Sequence, residues 1–202
     1  MAHLPFEAVL PVQISANAPV ATDLTLTVAL AEDQVNPYKA EMGQFTTVVN
    51  IVKWNTLGEG EYYDGFWYED FMGTVTIQQR DDHPEIYRFT NPYTDEVTGG
   101  GATFTPYITL TLAKNGALTW DKAFYVNTPY DEEHEVKAYL PSEATGDASN
   151  NASCKAIFDQ EGNIPLFQLD PYWYVDGLGG WGQGYACYVS FPGTDLHAML
   201  GE

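Results

Sequence analysis

Two stretches of strict alternation, Leu24-Thr25-Leu26-Thr27-Val28 and Ile108-Thr109-Leu110-Thr111-Leu112, constrain the fold more than any other feature of the chain. Successive side chains of a β-strand point to opposite faces, so threonine on one side and aliphatics on the other describe a strand half buried in a sheet. The β-branched residues also favour the pleated backbone. Less regular runs of this kind fall at 7–14, 45–54, 73–79, 85–89, 117–126, 135–140, 154–158, 164–169 and 184–191. Turn signals separate them: Asn17-Ala18-Pro19, Asn91-Pro92, Gly99-Gly100-Gly101, Asn115-Gly116 and Glu161-Gly162-Asn163. Asn115-Gly116 is the clearest hairpin turn. Short, closely spaced strands with such punctuation predict an all-β fold, an antiparallel β-sandwich of Ig-like or jelly-roll-like type. Helical periodicity is nearly absent. Residues 32–42 carry helix formers and end at Gly43, but Pro37 limits them to one or two turns. The small polar stretch 142–153 reads as an exposed loop. A composition change near 43–47 divides the chain into an N-terminal β segment or small subdomain, 1–44, and a main sandwich, 45–202.

Eight Lys and Arg against 28 Asp and Glu leave a formal charge of −20, which repels phosphate backbones and anionic lipid headgroups. Nucleic acid is therefore not an expected partner. No run of about 20 apolar residues is present to span a bilayer as a helix. Met1-Ala2-His3-Leu4-Pro5 has neither the basic nor the apolar region of a signal peptide, so export would place the leader outside these residues. Cys154 and Cys187 are the two cysteines, and the sequence leaves open a disulfide or two buried thiols.

The segment from Trp54 through Leu57, Gly58, Gly60, Tyr62 and Asp64 to Phe66 reads W-x-x-L-G-x-G-x-Y-x-D-x-F. An alternating run, Val75-Thr76-Ile77-Gln78-Gln79, and then Tyr87-Arg88-Phe89-Thr90-Asn91-Pro92-Tyr93 follow it. This ordered pattern resembles a domain of Bacteroidetes cell-surface lipoproteins. Residues 24–43, with Val35, Tyr38, Ala40 and Gly43 spaced as V-x-x-Y-x-A-x-x-G, resemble the N-terminal β domain of similar proteins. The resemblance implies export, a lipid anchor outside these residues, an outer-membrane surface location and association with glycan uptake. It implies no catalytic residues. Read physically, Gly58 and Gly60 permit a turn or bulge, with Trp54, Leu57, Tyr62 and Phe66 buried around it. Arg88 is expected to pair with a nearby carboxylate, Asp64 being the candidate.

Aromatic residues concentrate at 62–68 and again at Tyr172-Trp173-Tyr174 with Trp181 and Tyr185. Sugars stack their apolar C–H faces on exposed aromatic rings while carboxylates and amides bond the hydroxyls. Trp181, Trp173, Tyr172, Asp176, Trp67 and Tyr63 are accordingly the candidate ligand-binding residues, with Asp64, Glu69, Asp70 and Asp170 as further polar neighbours. Against this, alternating aromatics also fill sandwich cores, and only every second strand residue can face solvent. The glycine-rich stretch 177–184 reads as a loop presenting Trp181. It lacks the Lys-Ser/Thr of a phosphate cradle.

Asp131-Glu132-Glu133 with Asp64, Glu69-Asp70 or Asp81-Asp82 offers oxygen ligands for Ca²⁺, but none has EF-hand spacing and solvated loops are the plainer reading. The histidines, His3, His83, His134 and His197, lack zinc-motif spacing, and no G-x-S-x-G nucleophile elbow occurs. No metal, cofactor or catalytic residue is expected. The chain reads as a non-catalytic lipoprotein domain that binds oligo- or polysaccharide, with an outer-membrane protein as a further partner. A structural or adhesive module and a glycoside hydrolase are the alternatives. Binding predicts two exposed coplanar aromatics beside polar groups. Adhesion predicts an unpaired edge strand or large apolar patch, and hydrolysis predicts carboxylates about 5 to 10 Å apart in a cleft.

Overall fold

The computed structural model describes residues 23–29 and 44–201, which separate into two units between Lys53 and Trp54. In the first, β1 (Asp23–Ala29) pairs antiparallel with β2 (Gln44–Asn50), Leu24 opposite Val49 and Leu26 opposite Thr47. Alternation holds: Leu24, Leu26 and Val28 are half-buried while Thr25 and Thr27 are exposed. Because β2 bonds to β1, it groups with the first unit, and the division falls later in the chain than the composition change at 43–47. The expected strand at 7–14, the helical turns at 32–42, and Val35, Tyr38, Ala40 and Gly43 lie outside the described residues.

The second unit contains β3 (Trp54–Asp64), β4 (Asp70–Arg80), β5 (Ile86–Thr90), β6 (Tyr107–Leu112), β7 (Leu118–Thr119), β8 (Phe124–Pro129) and β9 (Glu135–Tyr139). It continues with β10 (Lys155–Ile157), β11 (Leu166–Leu169), β12 (Tyr172–Val175), β13 (Gly179–Gly182) and β14 (Cys187–Ser190). Eight of these form one sheet in the order β10-β11-β14-β3-β4-β5-β6-β7, and four form another, β13-β12-β9-β8. Every pairing in both sheets is antiparallel, which realises the all-β fold read from the alternation. The large sheet nearly closes on itself. Beside its two outermost strands, the Leu118 N–H donates to the Cys154 carbonyl at 2.9 Å and the Ala156 N–H to the Gly116 carbonyl at 2.8 Å.

One core joins the two sheets. Tyr62, Val75, Ile77, Phe89 and Leu110 from the large sheet pack in the same cluster as Val126, Val136, Ala138, Trp173 and Val175 from the small one. Such burial stabilises each large side chain by about 1.5–3 kcal/mol. Leu57, expected inside, is exposed instead: the bulge expected at Gly58 falls between Thr56 and Gly58, and Leu57 is the residue it leaves without a cross-strand partner. Both cysteines are buried free thiols. No described helix is long and apolar enough to cross a membrane.

Three local readings differ. The stretch 117–126 splits into β7 and β8, with Trp120 turned into the core between them. The polar stretch 142–153 forms α2 (Pro141–Thr145) and a 3₁₀ turn (Ala148–Ser153) capped by the Asp147 side chain on the Ser149 N–H. The glycine-rich stretch contains β13, which pairs with β12 in a hairpin. Two other short helices, α1 (Asp95–Thr98) and α3 (Leu196–Leu200), complete the unit.

Candidate functional site

The corner joining β3 to β4 is built on a buried carboxyl group. Asp64 is fully buried, and its Oδ1 accepts from the Phe66 and Trp67 backbone N–H groups, both at 2.7 Å. Its Oδ2 accepts from the Tyr93 hydroxyl at 2.7 Å, and Tyr93 lies 3.0 Å from the Tyr62 hydroxyl. Burial raises the phenol pKa of Tyr62 well above its ordinary value, with Cys187 and Asp64 adding to the shift; burial does the same for Tyr93, helped by Tyr62 and Asp64. Both phenols are thus held as hydrogen-bond donors. Asp64 therefore makes no ion pair with Arg88, contrary to the pairing expected from sequence. Arg88 instead donates from Nε to the Gln78 side-chain oxygen at 2.7 Å and lies over the rings of Trp54 and Tyr107, 4.1 and 3.9 Å from their centroids.

A second buried carboxyl group fixes the segment before β14. Asp170 Oδ1 accepts from the Gly184 and Tyr185 N–H groups at 2.9 and 3.2 Å, and its Oδ2 accepts from the Ser153 hydroxyl at 2.7 Å. Asp64 and Asp170 thus serve as internal braces and are not available to a ligand. The two braced segments touch at Gly65, where a Cβ would stand 2.1 Å from the Ala186 carbonyl oxygen. Only glycine permits that approach, and it sets Phe66 against Tyr185 with ring centroids 4.5 Å apart.

The β12–β13 hairpin brings Trp181 into the same group. Its ring centroid lies 5.4 Å from Trp67, 5.9 Å from Phe66 and 5.9 Å from Tyr130 on the loop after β8. Trp181, Tyr185 and Tyr130 are 42%, 41% and 50% exposed, while Phe66 and Trp67 are half-buried beneath them. The rings are not coplanar as expected. Trp181 meets Trp67 at 64°, Tyr130 at 60° and Phe66 at 52°, so they form a faceted corner.

The six candidate residues disperse. Trp67 and Trp181 meet in this corner. Trp173 has 0% exposure, so its ring belongs to the core and offers no face to a ligand. Tyr172 and Asp176 belong to the outer side of the small sheet, opposite the core face that holds Trp173 and Val175. There Tyr174 packs against Tyr172 and Tyr139, and Asp176 bonds the Lys137 ammonium and the Tyr139 hydroxyl. Tyr63 sits on the outer side of the large sheet with Phe71 and Tyr188. Tyr130 escaped notice because a lone tyrosine in an acidic loop carries no local signal.

Beside Tyr130 lies a hollow of about 220 Å³ lined by Asp131, Glu132, Glu133, Glu135, Lys137 and Asp176 among others. Backbone N–H donation from Glu133 and the His134 side chain hold the Asp131 carboxyl below its usual range, and Lys137 and Tyr139 do so for Asp176. Of the carboxylates considered for Ca²⁺, Asp81 accepts from Asn55, Asp82 pairs with Arg80 and Asp64 is internal. Among the described residues no group of three or more His, Cys, Asp or Glu is placed to hold a metal ion. Searches of protein-family models, curated proteins and solved structures return no match to this chain.

Proposed function

We propose that this chain is a non-catalytic, surface-exposed glycan-binding domain of an exported lipoprotein, acting in polysaccharide uptake at the outer membrane. The observation that carries the binding role is the convergence of Trp181, Tyr185 and Tyr130 over Trp67 and Phe66, drawn from three separate segments; the rings are inclined, so separate stacking facets replace the coplanar platform expected from sequence. Large exposed aromatics cost solubility and are easily replaced where only a core is needed, whereas sugar C–H faces need such rings. The braces at Asp64 and Asp170 fix the segments that carry Phe66, Trp67 and Tyr185 before any ligand arrives, which lowers the ordering cost of binding. Location, lipid anchoring and an outer-membrane protein partner rest on the W-x-x-L-G-x-G-x-Y-x-D-x-F pattern. A glycan array followed by affinity electrophoresis tests the activity. Wild-type protein is expected to be retarded by at least one polysaccharide and Trp181→Ala to run free. Equal mobility of both proteins in every gel refutes the proposal.

One observation favours the adhesive alternative. The Leu112 N–H and the Pro106 carbonyl both bond toward β5, so by alternation Tyr107 and Thr109 turn their backbone groups the other way. There β7 covers only Thr111 and Leu112, and a groove of about 360 Å³ separates β6 from β8. An added strand of a partner would fill it. Assembly seen by sedimentation and abolished by Thr109→Pro, with no glycan retention, would select this reading.

A further inference from the structure

We infer that the aromatic corner selects soluble, uncharged glycan chains and rejects both anionic polysaccharides and flat crystalline ones. This rests on the glycan-binding reading and adds the ligand class to it.

The exclusion of anions follows from the segments that build the corner. Residues 64–70, 129–135 and 176–186 contain no Lys or Arg, and they carry Glu69, Asp70, Asp131, Glu132, Glu133 and Asp176, all exposed. Lys137, which lines the neighbouring hollow, is committed to Asp176. Uronate and sulfate groups brought to Trp181 would therefore meet carboxylates and no free cation in those segments. Glycan hydroxyls, by contrast, find in the same carboxylates good hydrogen-bond acceptors.

The exclusion of crystalline surfaces follows from ring geometry. A flat polysaccharide face needs several aromatic faces in one plane. Here Trp181 inclines to Tyr130 by 60° and to Trp67 by 64°, with centroids 5.9 and 5.4 Å apart. Rings so inclined pack against one another and present separate facets, each able to stack on one sugar residue. They cannot lie together on a plane. The Asp64 and Asp170 braces on the neighbouring segments oppose flattening.

The test sets three ligand classes against wild type and Trp181→Ala: soluble neutral glucans, mannans and xylans; polygalacturonate, alginate and heparin; and crystalline cellulose and chitin in pull-down. Retardation by a neutral soluble polymer is expected, weakened about tenfold or more in Trp181→Ala and unchanged between about 0.05 and about 0.5 M salt, since stacking is not screened. Trp181-dependent binding of an anionic polymer or of a crystalline surface overturns this inference and leaves the glycan reading standing. Failure of every class overturns both.

Discussion

The Tyr93 hydroxyl donates to the Asp64 carboxyl at 2.7 Å inside the core, and through Asp64 it reaches the backbone of Trp67. Tyr93→Phe keeps the ring and deletes this donor. Equilibrium urea unfolding is expected to show a loss of about 1–3 kcal/mol, the range for leaving a buried hydrogen-bond partner unsatisfied. A loss below about 0.5 kcal/mol would show that the brace is not energetically significant.

Asp170→Ala removes the acceptor for Gly184, Tyr185 and Ser153 together. We expect about 2 kcal/mol of destabilisation from the N–H groups left unpaired. Hydrogen exchange at the Gly184 and Tyr185 amides should accelerate in the variant, and unchanged protection there would contradict the bracing role.

Core and corner tryptophans should part company under truncation. Trp173→Ala is expected to cost about 3–5 kcal/mol, as a large buried side chain does. Trp173→Phe should cost less, because it also removes an indole N–H that has no partner among the described residues. Trp181→Ala should cost about 1 kcal/mol or less, since its ring is 42% exposed. Thermal denaturation of the three variants gives the ranking.

Alkaline pH should destabilise the fold in a defined direction. Burial lifts the Tyr62 and Tyr93 pKa values above the ordinary value of about 10. The stability this represents is complete below about pH 10 and is lost as pH rises further, because the unfolded chain releases phenolic protons that the folded chain retains. Titration followed at the phenolate absorbance should find tyrosines that ionise only as tertiary circular dichroism collapses. Full ionisation with native dichroism intact would refute the buried pair.

Burial also pushes the Cys154 thiol up to about 11 and raises that of Cys187 further. Neither should react with a thiol reagent at neutral pH until the protein is unfolded.

The fold was readable because burial repeats every second residue in its strands: Ile108 and Leu110 are buried while Thr109 is exposed. The β12–β13 hairpin was hidden, since Gly179, Gly180 and Gly182 lack the side chains that carry a strand signal. At the site, Trp67 and Trp181 were visible as aromatic clusters. Their separation from Tyr63, Tyr172 and Trp173 depends on which face each strand turns inward, and that register is set by pairing across the sheet. Asp64 reads in the sequence as a partner for Arg88 or a ligand neighbour, and Asp170 as a ligand neighbour, because nothing local marks a carboxyl group that will accept backbone N–H donors from a tight corner.

Indole N–H resonances report the central claim most directly, since the five tryptophans are divided among different environments. Titrating a retained soluble glycan into labelled protein should move the Trp181 and Trp67 signals and leave those of buried Trp120 and Trp173 in place. Saturable binding with Trp181 and Trp67 unmoved would contradict the account.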